Sequence, residues 1–381
     1  MLLILIYISF ISLGLPDSLL GSVWPSMHGA LGVPLSFAGI LSMLIAGSTI
    51  VSSGMSDPII RRMGPAKVTV CSVLMTACAL YGYSCTNHFV LLCLWSIPLG
   101  LGAGTVDTAL NSYVATHYPA RHMNWLYCFW GIGAALGPFL LARGLRAGGG
   151  WHAGYRVIGL MQFALTAVFA LSLPLWKRAD TAPLDENCAV QTPLRLTELL
   201  TLPGAVQGLC AFLCYCAIEN TIGLWGSSYL VTVCALPGER AARWVSVFYL
   251  GITLGRLLSG FLTARLGDGR MIATGQALLA CGVLALALAR TPAALFLIGL
   301  GCAPIYPGLL HETPENFGCT HAQSVMGIEI ASAYVGSTFM PPVFGILAER
   351  AGYWVLPVFL GGLLAVLFLM TAQLHRRAQP Y

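Results

Sequence analysis

Residues 2–26 read LLILIYISFISLGLPDSLLGSVWPS, an apolar run in which Asp17 is the only charged residue. A helix of this length crosses the hydrocarbon core of a bilayer, which takes about 20 predominantly apolar residues. A carboxylate within such a helix is costly, so it usually marks a transport pathway or a polar partner. The stretch therefore predicts a membrane-spanning first helix that carries a functional group.

Further apolar runs of spanning length follow this first one along the chain. They lie at 35–55, 66–86, 88–116, 122–146, 151–176, 204–232, 241–265, 270–290, 292–314, 321–348 and 352–374. The sequence thus predicts an all-α integral membrane protein with twelve transmembrane helices. The one long polar stretch, 177–203, predicts a cytoplasmic linker between two six-helix bundles at 1–176 and 204–381.

The composition excludes several classes of protein. Of 381 residues, 57% are hydrophobic and 9% are charged, whereas soluble domains average about 25% charged residues. A soluble enzyme, a disordered chain and a nucleic-acid-binding protein are excluded on this ground. The sequence lacks HExxH, GxSxG and P-loop motifs, so no enzymatic activity, metal or cofactor is expected. The expected partners are the lipid bilayer and a small-molecule substrate.

Lysine and arginine are distributed unevenly between the two sets of predicted loops. One set carries eleven of them and the other seven, while Arg256 lies within a span. Because cytoplasmic loops carry an excess of these residues, the bias predicts that both termini and the linker are cytoplasmic. We expect a multi-pass monomer in the plasma or inner membrane.

The two halves of the chain resemble each other in sequence. The matching elements are Asp17-x-x-x-Gly21-x-x-Trp24 with Glu219-x-x-x-Gly223-x-Trp225, Gly100-Leu-Gly102 with Gly299-Leu-Gly301, and Gly137-Pro138 with Met340-Pro341. They occur in the same order in both halves, at offsets close to 200 residues. This pattern indicates duplication of a six-helix unit, an organisation that in transporters encloses a central site and supports alternating access.

These features resemble the major facilitator superfamily. Gly54-Met-Ser-Asp57 with Arg61-Arg62-x-Gly64 is similar to its loop motif between helices 2 and 3, and Gly260-Phe-Leu-Thr-Ala-Arg265-Leu-Gly267 is similar to the second copy. Residues 14–25, 100–118 and 301–318 resemble the fucose permease-like branch, a group of sugar–proton symporters. Pro58 departs from the loop motif, which usually has a basic residue there. The resemblance implies cytoplasmic gating loops that involve Asp57, Arg61, Arg62, Arg265 and Arg270.

Five ionisable residues within predicted spans are candidates for the proton and substrate pathway: Asp17, Asp107, Glu219, Arg256 and Glu329. The resemblance implies proton-coupling acids on helices 1 and 4, which match Asp17 and Asp107. A buried guanidinium needs a counter-charge, so we expect Arg256 to pair with Glu219 or Glu329. For each acid the alternative is a helix-packing hydrogen bond. Candidates for the substrate cavity are the amides and aromatic residues Asn111, Trp125, Asn220, Trp225 and Tyr306.

The leading hypothesis is a secondary active transporter that moves a small solute by alternating access, driven by a proton gradient. The resemblance implies a sugar as the solute. Two alternatives stay open: a proton-driven exporter of amphipathic drugs, and a receptor or scaffold that does not transport. An intramembrane hydrolase that uses Asp107 and His117 is disfavoured, because ten residues of helix separate them by about 15 Å.

Overall fold

The computed structural model describes residues 2–117, 121–146, 149–177 and 200–377, and within these ranges the chain forms helices and turns but no strand. The helices, in chain order, are α1 (Leu2–Asp17), α2 (Leu19–Leu31), α3 (Ala38–Gly54), α4 (Ser56–Met63), α5 (Pro65–Ser84), α6 (Phe89–His117), α7 (Arg121–Arg146), α8 (Gly150–Lys177), α9 (Ala205–Thr232), α10 (Gly238–Leu266), α11 (Asp268–Leu288), α12 (Ala294–Cys302), α13 (Ile305–Ala351) and α14 (Leu356–Arg377). Short 3₁₀ turns at Leu35–Phe37 and Tyr353–Val355 precede α3 and α14.

Across the described residues, 12 helical segments are long and apolar enough to cross a membrane. This confirms the predicted all-α fold. The segments differ from the predicted runs in two places. The first span, Leu3–Leu31, consists of α1 and α2 with a break at Ser18, and the spans Ala294–Phe317 and Val325–Ala351 share helix α13.

Helix α13 reverses direction within its 47 residues. In a straight helix Thr313 and Glu329 would lie about 24 Å apart, at about 1.5 Å per residue. Instead, Thr313 Oγ1 donates a hydrogen bond to Glu329 Oε2 at 2.8 Å. The backbone therefore turns back between these two residues, so that the tenth and eleventh spans pack against each other without a conventional loop.

Large apolar side chains cover much of the outer surface of the helices. Leu171 on α8 is 82% exposed, and Leu288 at the end of α11 is 83% exposed. Apolar surface on this scale is rare on soluble monomers, but it matches the hydrocarbon of a bilayer. The exposed faces therefore agree with the spanning role that the lengths of the helices indicate.

The described helices pack into two compact units. One contains α1–α8 and the segment Gly226–Tyr249, and the other contains α9 up to Trp225 and the chain from Leu250 onward. Within the first unit, Ser227 Oγ donates to the Ser22 carbonyl oxygen at 3.1 Å and Ser246 Oγ donates to the Ala135 carbonyl oxygen at 2.5 Å. The boundaries 1–176, 177–203 and 204–381 stay a prediction from the sequence, and most of the linker lies outside the described residues.

Glycines bring pairs of helices into backbone contact at corresponding positions of the two halves. A Cβ atom on Gly133 of α7 would collide with the Ile11 carbonyl oxygen of α1, and one on Gly336 of α13 would collide with the Leu213 carbonyl oxygen of α9. Both contacts place backbones closer than any side chain allows. The repeat seen in the sequence therefore has a counterpart in the packing within each unit.

Candidate functional site

Asp17 lies where the first span is interrupted. It ends α1, directly after Pro16, and Ser18 separates it from α2. The Trp130 Nε1–H group of α7 donates to Asp17 Oδ2 at 2.8 Å. The Asp17 side chain is solvent-accessible although it lies within the span Leu3–Leu31. The first unit thus holds one carboxylate at membrane depth, fixed by an indole and open to a small ligand or water.

Glycines on both α1 and α7 explain how Trp130 reaches Asp17. A Cβ on Gly14 would collide with the Trp130 carbonyl oxygen, and one on Gly137 would lie 2.5 Å from the Leu15 carbonyl oxygen. Together with the Gly133 contact, these glycines let α7 follow α1 closely for two turns. Close backbone approach of this kind is the usual function of small residues between membrane helices, and here it positions the indole on the carboxylate.

Asp107, the second predicted pathway acid, lies on α6 in the same unit. It accepts a hydrogen bond from Asn111 Nδ2 at 2.9 Å, so the two residues share a helix face, as their spacing predicts. Asp107 also lies close enough to Asp17 for an electrostatic interaction between the two carboxyl groups. The first unit therefore brings together two of the five ionisable candidates.

Arg256 pairs with Glu219, one of the two carboxylates predicted as its partner. Arg256 Nη2 lies 3.8 Å from Glu219 Oε1, and the two side chains are only 14% and 13% exposed. The packing of α10 on α12 places the guanidinium, because a Cβ on Gly251 would lie 2.6 Å from the Phe296 carbonyl oxygen and one on Gly255 would lie 3.0 Å from the Leu300 carbonyl oxygen. The second unit thus contains a buried ion pair between α9 and α10.

Glu329 occupies a different place in the second unit. Its side chain is 1% exposed and accepts the hydrogen bond from Thr313 described above. A Cβ on Gly208 of α9 would lie 2.7 Å from Glu329 Oε1. One turn further along, Ser332 Oγ donates to the Leu209 carbonyl oxygen at 2.8 Å. Glu329 therefore lies within the contact between α9 and α13.

Three cavity candidates of the second unit make contacts that fix their side chains. Trp225 is fully buried, and its Nε1–H donates to the Pro341 carbonyl oxygen at 2.7 Å. Asn220 Nδ2 donates to the Cys216 carbonyl oxygen of its own helix at 2.9 Å. The Tyr306 ring packs 5.8 Å from the Tyr215 ring, measured between centroids. For Trp225 the geometry favours helix packing over stacking on a solute.

The remaining candidates lie at the surface or outside the described side chains. Trp125 is exposed on α7, and its ring centroid lies 6.4 Å from that of Tyr7. Three of the predicted gating residues, Arg62, Arg265 and Arg270, are exposed. The side chains of the other two, Asp57 and Arg61, lie outside the described part of the chain, so their proposed role stays a prediction.

Sequence reasoning missed several partners that the structure reveals. It did not predict the hydrogen bonds of Trp130 with Asp17 and of Thr313 with Glu329. It also did not predict that Tyr215 lies near Glu219. It also missed two carboxylate–histidine pairs, His311 Nδ1 with Asp268 Oδ2 at 2.7 Å and His375 Nε2 with Glu312 Oε2 at 2.8 Å. One signal was available, since Tyr215 precedes Glu219 by one helical turn. The other contacts join separate spans, which the periodicity of a single helix does not relate.

Comparison with known proteins places these features in a family. The model of the Major Facilitator Superfamily matches residues 6–328 and 208–380. The cis,cis-muconate transport protein of Acinetobacter baylyi is 22% identical over 342 residues, covering 82% of this chain and 80% of that protein. The glucose/mannose transporter GlcP of Bacillus subtilis is 24% identical over 284 residues, covering 68% and 66% of the two chains.

Solved structures share the fold. The nucleoside transporter NupG superposes with a TM-score of 0.78 at 14% identity, covering 97% of this chain and 98% of that one. The transporter FucP in its outward conformation superposes with a TM-score of 0.66 at 15% identity, covering 98% of each chain. With the whole-chain family match, these findings agree with the all-α fold of twelve spans. The chain belongs to the Major Facilitator Superfamily and is a multi-pass membrane transporter of a small solute, not an enzyme.

Proposed function

We propose that this transporter is coupled to protons and that Asp17 and Asp107 form its proton site. The observation that carries the proposal is the position of Asp17, an accessible carboxylate at a helix break inside the membrane, held by Trp130 and near a second carboxyl group. Two carboxyl groups in one low-dielectric region do not ionise independently. Such a pair takes up and releases a proton when its exposure to water changes.

Glu219 and Arg256 form the second charged element of the pathway. Their ion pair lies within the spans Ala205–Thr232 and Gly238–Thr263. Ionisable residues at this depth are expensive, and transporters keep them for substrates and coupling ions. We assign this pair, with Asn220 and Tyr306 near it, to substrate binding in the second unit. Asn111 and Trp125 are the corresponding candidates in the first.

Two solute classes are compatible with the relatives. One relative is named for a dicarboxylate, cis,cis-muconate, and another for the sugars glucose and mannose. Sugar hydroxyl groups suit amide and tyrosine side chains, whereas a carboxylate suits a guanidinium. Both classes are small polar solutes, and both fit the proposed proton coupling.

The topology and assembly of the protein form part of the same proposal. The bias of lysine and arginine supports cytoplasmic termini, and the single-chain relatives support a monomer. The loops that contain Asp57, Arg61, Arg62, Arg265 and Arg270 would then lie on the cytoplasmic side and gate the pathway there. A cysteine-accessibility assay at an introduced C-terminal cysteine tests the orientation.

A transport assay in proteoliposomes tests the coupling. We expect accumulation of a labelled solute when an inward proton gradient is imposed, and loss of accumulation in Asp17→Asn and Asp107→Asn. Glu239→Gln is the matched control, because Glu239 pairs with Arg243 at 2.9 Å in a more exposed position near the start of α10. Accumulation that ignores the gradient, with both Asn variants active, would refute the proposal.

The same assay separates the alternative functions. A drug exporter would extrude amphipathic cations in exchange for protons. Vesicles loaded with a cationic dye would then lose that dye when a proton gradient is imposed. A receptor or scaffold would bind a solute without moving it across the membrane. The carboxyl groups of Asp17 and Asp107 and the Glu219–Arg256 ion pair favour a polar solute over a mainly apolar drug.

A further inference from the structure

The part of α10 that belongs to the first unit packs against α7 beside the proposed proton site. Ser246 Oγ donates to the Ala135 carbonyl oxygen of α7 at 2.5 Å. Three residues further along α10, the Tyr249 ring lies 6.2 Å from the Trp130 ring, measured between centroids. Residues three apart share one face of a helix, so a single face of α10 makes both contacts. That face therefore lies against the helix that supplies the hydrogen-bond donor to Asp17.

The Tyr249 ring is oriented so that it limits the movement of the Trp130 ring. The two ring planes meet at 79°, which at this separation is the favourable edge-to-face arrangement of aromatic pairs. Tyr249 is 7% exposed, and its ring also packs 5.0 Å from that of the fully buried Phe248. The tyrosine ring is thus held in place, and it opposes rotation of the indole about its side-chain bonds.

The orientation of the indole decides whether it can hold Asp17. The Nε1–H bond lies in the plane of the Trp130 ring, so a rotation of that plane turns the hydrogen away from its acceptor. Hydrogen bonds weaken steeply once the angle at the hydrogen falls below about 120°. The 2.8 Å contact with Asp17 Oδ2 therefore depends on a fixed ring plane, which the contact with Tyr249 provides.

We infer that Tyr249 is a positioning residue of the proton site, which acts through Trp130 on Asp17 and links that site to the position of α10. The inference rests on the proposed proton coupling and adds to it a residue from the second half of the chain. Asp107 of α6 is the other carboxyl group that interacts with Asp17, and Tyr249 acts independently of it. A displacement of α10 from α7 would remove the support of the indole and loosen its hydrogen bond to Asp17.

Nuclear magnetic resonance of the full-length protein in detergent micelles, with isotope-labelled tryptophan, tests the positioning directly. The signal missing in Trp130→Phe assigns the Trp130 indole N–H, and its shift in Asp17→Ala gives its position without the carboxylate. We expect Tyr249→Leu to move the signal at least halfway to that position. Tyr249→Phe keeps the ring, so it should leave the signal unchanged.

Tyr81→Leu is the matched control for loss of an aromatic contact. Tyr81 lies in the same unit, and its ring packs against that of Phe163 with similar geometry, at 6.1 Å and 70°. This variant should leave the Trp130 signal in place. If Tyr249→Leu does not fold, Tyr249→Met supplies a longer, flexible apolar side chain and should displace the signal in the same direction.

Proton-driven uptake gives a functional readout of the same contact. The probes are radiolabelled glucose and cis,cis-muconate, the solutes for which two relatives are named. Tyr249→Leu should lower uptake about two- to tenfold, in line with the usual strength of an edge-to-face pair. In a Trp130→Phe background no indole N–H is left to position, so the same substitution should have little further effect. A purely structural role would instead lower uptake equally in both backgrounds.

Several outcomes overturn the inference. One is an unmoved Trp130 signal in Tyr249→Leu and Tyr249→Met, and another is an equal displacement in Tyr249→Phe or Tyr81→Leu. An equal loss of uptake with and without the Trp130 indole also overturns it. These outcomes leave the proposed function in place, because they do not concern the carboxyl groups. Proton-driven uptake that survives in Asp17→Asn would instead refute the proposed function, and the effect of Tyr249 on the Trp130 signal is measured without any solute.

Discussion

The indole N–H of Trp130 and a carboxylate oxygen of Asp17 lie 2.8 Å apart and join α7 to the interruption of the first span. The contact depends on glycines, since Gly14, Gly133 and Gly137 let the backbones of α1 and α7 approach more closely than a Cβ atom would allow. The glycine-rich segment of α7 therefore has a local purpose here. It brings an aromatic donor onto the acid that we propose as the proton site.

Trp130→Phe should impair transport more than stability. The variant keeps the apolar ring but removes the donor, and a hydrogen bond to a charged group contributes about 1.5–3 kcal/mol. If this hydrogen bond holds Asp17 in place during turnover, its loss should lower proton-driven uptake at least about tenfold. Trp354→Phe is the control, because the Trp354 side chain is 60% exposed and has no place in the proposed proton or substrate sites. Equal uptake by the two variants would show that the contact does not serve transport.

Gly133→Ala should lower the melting temperature, whereas Gly47→Ala should not. A methyl group on Gly133 collides with the Ile11 carbonyl oxygen, while one on Gly47 meets nothing within 4 Å. Overpacking costs about 1–3 kcal/mol, whereas alanine in an open helical position is favoured over glycine by about 0.5–1 kcal/mol. Thermal unfolding in detergent, followed by tryptophan fluorescence, measures both. A melting temperature of Gly133→Ala at or above that of Gly47→Ala would contradict the packing described here.

The sequence predicted the spans well because length and apolar composition alone decide whether a helix crosses a bilayer. It missed the break at Ser18, since Pro16 and Asp17 lie inside an otherwise continuous apolar run. It also expected a turn between 314 and 321, where the chain instead turns back within one helical segment. Both features depend on backbone geometry that the apolar pattern does not encode.

Partners across helices were harder to predict than the charged residues themselves. Because charged side chains are rare within membrane spans, the sequence alone was enough to identify Asp17, Glu219, Arg256 and Glu329 as candidates. Periodicity relates residues on one helix, so it left Arg256 with two equally suitable carboxylates. The choice of Glu219 depends on how α9 and α10 pack in the folded unit, where Arg256 Nη2 lies 3.8 Å from Glu219 Oε1.

Glu329→Gln should preserve proton-driven transport, because Glu329 lies in a helix contact and the amide keeps its size and its hydrogen bond with Thr313. Glu329→Ala should instead destabilise the protein, since it opens a cavity beside Gly208 and leaves the Thr313 hydroxyl without its carboxylate acceptor. Melting temperature and accumulation ratio are measured for both variants. If Glu329→Gln folds normally but loses accumulation, Glu329 belongs to the proton pathway and the helix-contact role is wrong.

Trp225→Phe should reduce stability without changing the apparent affinity for substrate. The Trp225 indole is buried against Phe344 and Tyr353 and donates to the Pro341 carbonyl oxygen. Loss of this bond should cost about 1 kcal/mol. Trp354→Phe, at a side chain that is 60% exposed, is the control for loss of an indole. A rise in KM for Trp225→Phe at unchanged stability would return Trp225 to the substrate cavity, for which the sequence made it a candidate.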